Sequence, residues 1–216
     1  MDTTAILYKV LMIPAILLAF TFHEYAHAIT ADRLGDKTPR FQGRLTLNPI
    51  AHIDPIGFIL ILLVGFGWAK PVQTNPSAYK NYYKDDLKVS LAGPLANLII
   101  GFIFVFLGVL FSKFSPLQGG LNEIIEIILY MTAQLNCLLF FLNLVPIPGF
   151  DGFHIVRDLF PKFFYNLSDA IYRYQMLVFM ALILPILPGG NSIFTFIVGI
   201  PANLLFNFFR NLARMI

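Results

Sequence analysis

Long apolar runs separated by short polar intervals dominate this chain, and a helix that crosses lipid needs about 20 such residues. The first run is VLMIPAILLAFTFHEYAHAITA, residues 10–31, with Pro14 near its start and three ionisable residues near its end. Residues 32–55 carry Gly and Pro punctuation and a short alternating stretch at 44–47, which predicts a loop or hairpin at the membrane edge. IGFILILLVGFGW, residues 56–68, is short for a crossing and marked by glycine, which predicts a re-entrant or interfacial segment. Residues 89–111 and 124–146 each have the length and apolarity of a transmembrane helix. The second must break at VPIPGFDG, where Pro146 and Pro148 remove two amide donors. Two further runs, 174–188 and 192–209, are joined by PGGN and predict a closing helical hairpin. The expected fold is an all-α polytopic membrane protein with about five transmembrane helices, a membrane-edge hairpin and the re-entrant or interfacial segment. No repeat or linker divides it, so residues 1–216 form one domain, with a core over about 8–152 and a C-terminal hairpin over about 171–210.

Composition agrees. The chain is 57% hydrophobic and 12% charged, about half the charge of an average soluble protein. Its mean hydropathy is +0.73. The 23 phenylalanines read as lipid-facing surface, and Trp68 as an interfacial anchor. A formal charge of +3 suits an anionic lipid surface, while the absence of a basic stripe with interleaved aromatics argues against nucleic acid. The single cysteine, Cys137, excludes a disulfide framework and a thiolate metal cluster. The opening MDTTAILYK does not read as a secretory signal.

Candidate chemistry centres on HEYAH, residues 23–27. Residues four apart share a helix face, so His23 and His27 can present two imidazoles to one ion. Glu24 then stands where it can take a proton from water activated by that ion, the arrangement of zinc hydrolases. Ionisable groups inside a lipid-spanning helix are costly and mark a site. A catalytic zinc needs a third protein ligand. His52 and Asp54 in NPIAHIDP, and Asp151 in PIPGFDG with His154 just beyond, are the candidates. Spacing favours Asp151 only weakly over His52.

Charge bias sharpens the choice. If residues 56–68 do not cross, 13 of the 15 Lys and Arg fall on one side, with only Lys9 and Lys113 opposite. That topology puts the N-terminus outside, with HEYAH, Asp151 and the C-terminus on the cytosolic side. It also brings His23, His27 and Asp151 to one membrane depth, whereas a crossing at 56–68 would separate them.

HEYAH (23–27), NPIAHIDPIG (48–57), AGPLAN (92–97) and NLVPIPGFDG (143–152), in this order, resemble the site-2 protease family of intramembrane zinc metalloproteases, in its compact prokaryotic form without a PDZ or CBS domain. The resemblance implies His23, His27 and Asp151 as ligands of one catalytic Zn2+ and Glu24 as the catalytic base. It implies a cell-membrane endopeptidase that cuts transmembrane or membrane-anchored protein substrates near the cytosolic face. Asn97, His52 and Asn143 are candidates for positioning substrate or stabilising the oxyanion, though Asn97 could equally bond helix to helix. Gly93 and Pro94 read as close packing or a kink. A helical substrate would have to unwind, and pairing with the 41–54 hairpin is one route. The competing reading is a metal-binding transporter or receptor without proteolytic activity, which the apolar closing helices do little to support. A homo-oligomer is compatible with the sequence, which names neither the substrate nor its regulation.

Overall fold

The computed structural model describes residues 3–215 and is all-α, with no β-strand among those residues. Helix α1 (Thr3–Leu34) begins earlier than the apolar run, because AILYK continues into it, so Pro14 lies inside the helix. It is followed by the single turn α2 (Thr38–Phe41) and then α3 (Pro55–Val64). Helices α4 (Tyr82–Phe114) and α5 (Gly120–Asn143) form an antiparallel pair, and α1 packs against both. Beyond the double-proline break stand α6 (Asp151–Leu159), α7 (Pro161–Ile183) and α8 (Ile200–Arg214), the last entered through a π turn at Thr195–Gly199.

Four helical segments are long and apolar enough to cross a membrane: α1, α4, α5 and Thr195–Arg214. The expected fifth, 174–188, does not form a separate span. Its first part continues the polar residues 161–173 as α7, and the helix stops at Ile183. Both ends of α7 lie at the same end of the bundle. Tyr165 Oη lies 3.4 Å from Tyr83 Oη at the start of α4, and Leu182 packs with Val145 and Ile147 just past α5. In this C-terminal part α7 packs on α6, whereas α8 packs on α4 and α5.

The direction of α8 follows from its contacts with α5. Gln134 bonds Asn203 (3.4 Å), Tyr130 meets Phe206 edge-on, and Glu126 shares a cavity with Arg210. These pairs run antiparallel, so α8 ends where α5 begins, at the end away from His27. The core of this packing is Val105, Val109, Ala133, Cys137, Ala202, Phe209 and Ala213. Arg210 and Arg214 therefore join Lys9 and Lys113 at the far end, leaving eleven of the fifteen basic residues at the histidine end. Among the described residues, α1 therefore starts and α8 stops at the same end of the bundle.

Residues 54–68 leave the histidine end and return to it. Ile53 and Ala69 form an isolated antiparallel bridge, and Lys70 N–H donates to the His52 carbonyl at 2.9 Å. A segment whose two ends are bonded together cannot span the bundle. Its tip nonetheless reaches deep, because Lys9 Nζ donates to the Leu63 carbonyl at 2.9 Å. The return is tight: a Cβ on Gly57 would overlap the Trp68 carbonyl, and one on Gly67 would overlap the Gly57 carbonyl. The hairpin expected at 41–54 is instead a turn and a 3-10 turn at Pro49–Ala51, which Asn48 Oδ1 caps by accepting from Ile50 N–H (3.1 Å). Asp36 ties this edge down, accepting from Thr38 N–H (2.8 Å) and Asn75 N–H (2.6 Å).

Candidate active site

His23, Glu24 and His27 occupy one turn of α1, and all three are buried. Asp151, the first residue of α6, meets them because Pro146 and Pro148 end α5 and Gly149 turns the chain with φ +100°. The His23 and His27 Nε2 atoms are 3.0 Å apart. Asp151 Oδ2 lies 3.3 Å from His23 Nε2, and Oδ1 lies 3.3 Å from His27 Nε2. The Asp151 side chain does not cap α6, so the alternative of a purely local role finds no partner for it.

The far side of each imidazole shows what these atoms want. His23 Nδ1 faces Asn97 Oδ1 at 2.7 Å, and His27 Nδ1 faces the Val89 carbonyl at 2.7 Å. Both partners accept, so both Nδ1 atoms donate, and the neutral rings carry bare lone pairs on Nε2. Two such lone pairs and a carboxylate, crowded at 3.0 to 3.3 Å, repel one another unless a cation sits among them. Tetrahedral zinc bonds of roughly 2.0–2.1 Å place neighbouring ligand atoms about 3.3 Å apart. The donor set, its spacing and its buried setting fit a zinc ion.

The support extends across three helices. Asn97 on α4 is fully buried, and its amide also donates to Asn136 Oδ1 on α5 (2.8 Å) and to the Ala19 carbonyl (3.3 Å). Asn136 in turn donates to the Thr132 carbonyl at 2.8 Å. This directed chain of amides fixes the His23 tautomer and ring orientation. Asn97 therefore stands behind His23, with its amide engaged on both sides, and not in the cavity where a substrate-positioning role would put it. Gly93 on the same helix lies directly against both imidazoles: a Cβ there would overlap His27 Nε2 and His23 Cε1.

Glu24 is held separately. Its Oε2 accepts from Val72 N–H at 2.7 Å and lies 3.9 Å from the buried Arg44 guanidinium. Arg44 also donates to the Ala51 and Lys70 carbonyls, clasping the two ends of the re-entrant segment. Sequence reasoning counted Arg44 only as a topological charge. The useful signal was an arginine beside a predicted non-crossing segment, whose freed carbonyls need a donor.

His52 is not a ligand. It is fully buried, its Nε2 donates to the Thr46 carbonyl (2.7 Å), and burial lowers its pKa, keeping the ring neutral. Its own carbonyl anchors the return from α3, so it braces the fold beside Glu24. Asp54 caps α3 by accepting from Gly57 N–H at 2.8 Å. Asn143 lines the cavity and donates to Leu139 (3.1 Å), so it remains within reach of a bound chain.

These groups open onto a cavity of about 640 Å³. Its wall includes Trp68, Ala69 and Val72 from the return of the re-entrant segment, and His154 and Arg157 from α6. Burial lowers the His154 pKa, with Arg157 acting in the same direction. Arg157 pairs with Asp86 of α4 and with Asp158 (2.8 Å), which pins α6, and so Asp151, to the helix that supports the histidines.

The model of peptidase family M50 matches residues 11–129 and 118–187. YwhC of Bacillus subtilis (strain 168), named as a candidate zinc metalloprotease, is 41% identical over 176 residues, covering 79% of this chain and 78% of its own length. Rip2 of Mycolicibacterium smegmatis, named in the same way, is 32% identical over 149 residues, or 67% of this chain and 55% of Rip2. MJ0611 of Methanocaldococcus jannaschii, also so named, is 28% identical over 158 residues, covering 71% of this chain and 72% of its own. No solved structure matches the chain at a significant level. The matched residues contain HEYAH, AGPLAN and PIPGFDG, the same segments that converge on one buried donor set, and the chain belongs to peptidase family M50, the site-2 proteases.

Proposed function

We propose that this protein is a zinc-dependent intramembrane endopeptidase that hydrolyses peptide bonds in transmembrane or membrane-proximal segments near the cytosolic face. The observation that carries the reading is the convergence of His23, His27 and Asp151 beside Glu24, in one cavity within a bundle of apolar helices. His23, His27 and Asp151 would hold the ion. When bound, zinc makes water acidic at neutral pH and offsets the charge that develops on the attacked carbonyl oxygen. Glu24 takes the proton of the attacking water and delivers it to the leaving nitrogen. Val72 N–H and Arg44 tether Glu24 through Oε2, leaving Oε1 for the proton. The buried surroundings keep bulk water from competing, and the non-helical segment around Ala69–Val72 gives an unwound substrate a backbone wall to lie against. Orientation rests on charge: eleven of fifteen basic residues stand at the histidine end, as the positive-inside bias expects of a cytosolic face.

Glu24→Gln tests the chemistry, because it removes the proton carrier and keeps every ligand. Purified Glu24→Gln should bind zinc one to one and lose cleavage of a reporter transmembrane substrate by at least about a hundredfold. Cleavage at the parent's rate would refute the role of Glu24. A transporter using the same ion would lose little metal flux from this change, so the one substitution separates the two readings.

A further inference from the structure

We propose that the far end of the bundle carries a second site, a cationic pocket that takes the phosphodiester headgroup of an anionic lipid. A cavity of about 630 Å³ opens there between α4, α5 and α8. It is separate from the zinc site: the two cavities share no lining residue, and the α4 and α5 residues that line this one come from the opposite ends of those helices. Its floor is apolar, with Val109, Leu110 and Phe206, and its rim is polar, with Ser112, Arg210 and Arg214. That polarity repeats the polarity of a lipid, with the headgroup at the helix ends and the acyl chains along the bundle.

The arginines specify the charge. Arg210 and Arg214 are one turn apart and share a face of α8. Arg210 is already oriented: Nη2 donates to Asn207 Oδ1 (3.0 Å), and the guanidinium lies over the Phe206 ring, 5.7 Å from its centroid. A guanidinium held in place on the wall of the cavity matches a phosphate oxygen. Glu126 also lines the pocket but accepts from the Ser112 hydroxyl, and among the described residues no ion pair joins it to either arginine. Net positive charge therefore faces the cavity. A guanidinium pair at the helix ends suits the phosphodiester of a headgroup, and the apolar floor favours a lipid over a free anion.

Native mass spectrometry of the full chain, taken from mixed micelles of phosphatidylglycerol and phosphatidylcholine, tests this. The parent should retain phosphatidylglycerol over phosphatidylcholine by at least about tenfold, the two charge-assisted arginine contacts together supplying that preference. The Arg210→Gln/Arg214→Gln double variant should lose the preference while keeping its zinc content, which reports an intact fold at the other end. If the double variant also loses zinc, Arg214→Gln alone, at an exposed position, should still cut the preference severalfold. Equal retention of the two lipids by the parent overturns the proposal. So does full displacement of phosphatidylglycerol by equimolar inorganic phosphate, which would make the pocket a site for free anions.

Discussion

Asn97 shows how a residue can matter to a metal centre without touching the metal. It receives the Nδ1 hydrogen of His23 and is itself oriented by Asn136, so the lone pair on Nε2 points toward Asp151. Partners of metal-bound histidines typically contribute 10–100-fold to metal affinity. Asn97→Leu should therefore weaken zinc binding by roughly that factor, while Asn97→Asp, which keeps an acceptor for Nδ1, should lose less. In the same titration against a chelator, Asp151→Ala should lose stoichiometric zinc and His52→Ala should keep it, with destabilisation as its main effect. Zinc retained in Asp151→Ala with an unchanged count of ligands by X-ray absorption would defeat the assignment. At this scale the histidines and Asp151 were legible, because ionisable groups in apolar surroundings have few other uses. Gly93 was legible only as a packing residue. Which atoms its missing side chain spares depends on where α1 passes α4.

The re-entrant segment and α7 carry the lesson at the level of elements. Length alone argued that residues 56–68 fall short of a crossing, and the Ile53–Ala69 bridge shows how the chain achieves the return. Arg44, His52 and the Gly57–Gly67 contact close its base, so the exposed backbone that lipid would penalise is paired within protein. A single cysteine near Lys80, in a Cys137→Ala background, should be protected from an impermeant thiol reagent in intact cells. Strong labelling would place residues 70–88 outside and separate the ligands. The apolar run at 174–188 misled in the opposite sense. Apolarity there serves the contact of Leu182 with Val145 and Ile147 rather than passage through lipid, and hydropathy cannot tell a lipid-facing leucine from one facing protein.

Four helical segments among the described residues are long and apolar enough to cross a membrane, and the direction of the last bears on a relation the charge pattern did not address. Because α8 runs antiparallel to α5, Arg210 and Arg214 stand beside Lys113. Epitope tags fused to the two termini should thus report the same compartment, and with the active site facing the cytosol both should be accessible from outside. Tags on opposite faces would require α7 to cross and would break its contacts at both ends. By itself, the sequence determined the membrane class, the helices around residues 10–31, 89–111 and 124–146, and a zinc-type donor set. Each of these follows from local chemistry: the cost of polar groups in lipid, the helical period that aligns His23 with His27, and the missing amides of Pro146 and Pro148. The tertiary structure alone decided that Asp151 rather than His52 meets the histidines, that Asn97 stands behind His23, that Arg44 clasps the base of the returning segment beside Glu24, and that α8 runs antiparallel to α5. Those relations join residues dozens of positions apart, and they depend on the order in which helices pack, which no local pattern of apolar and polar residues encodes.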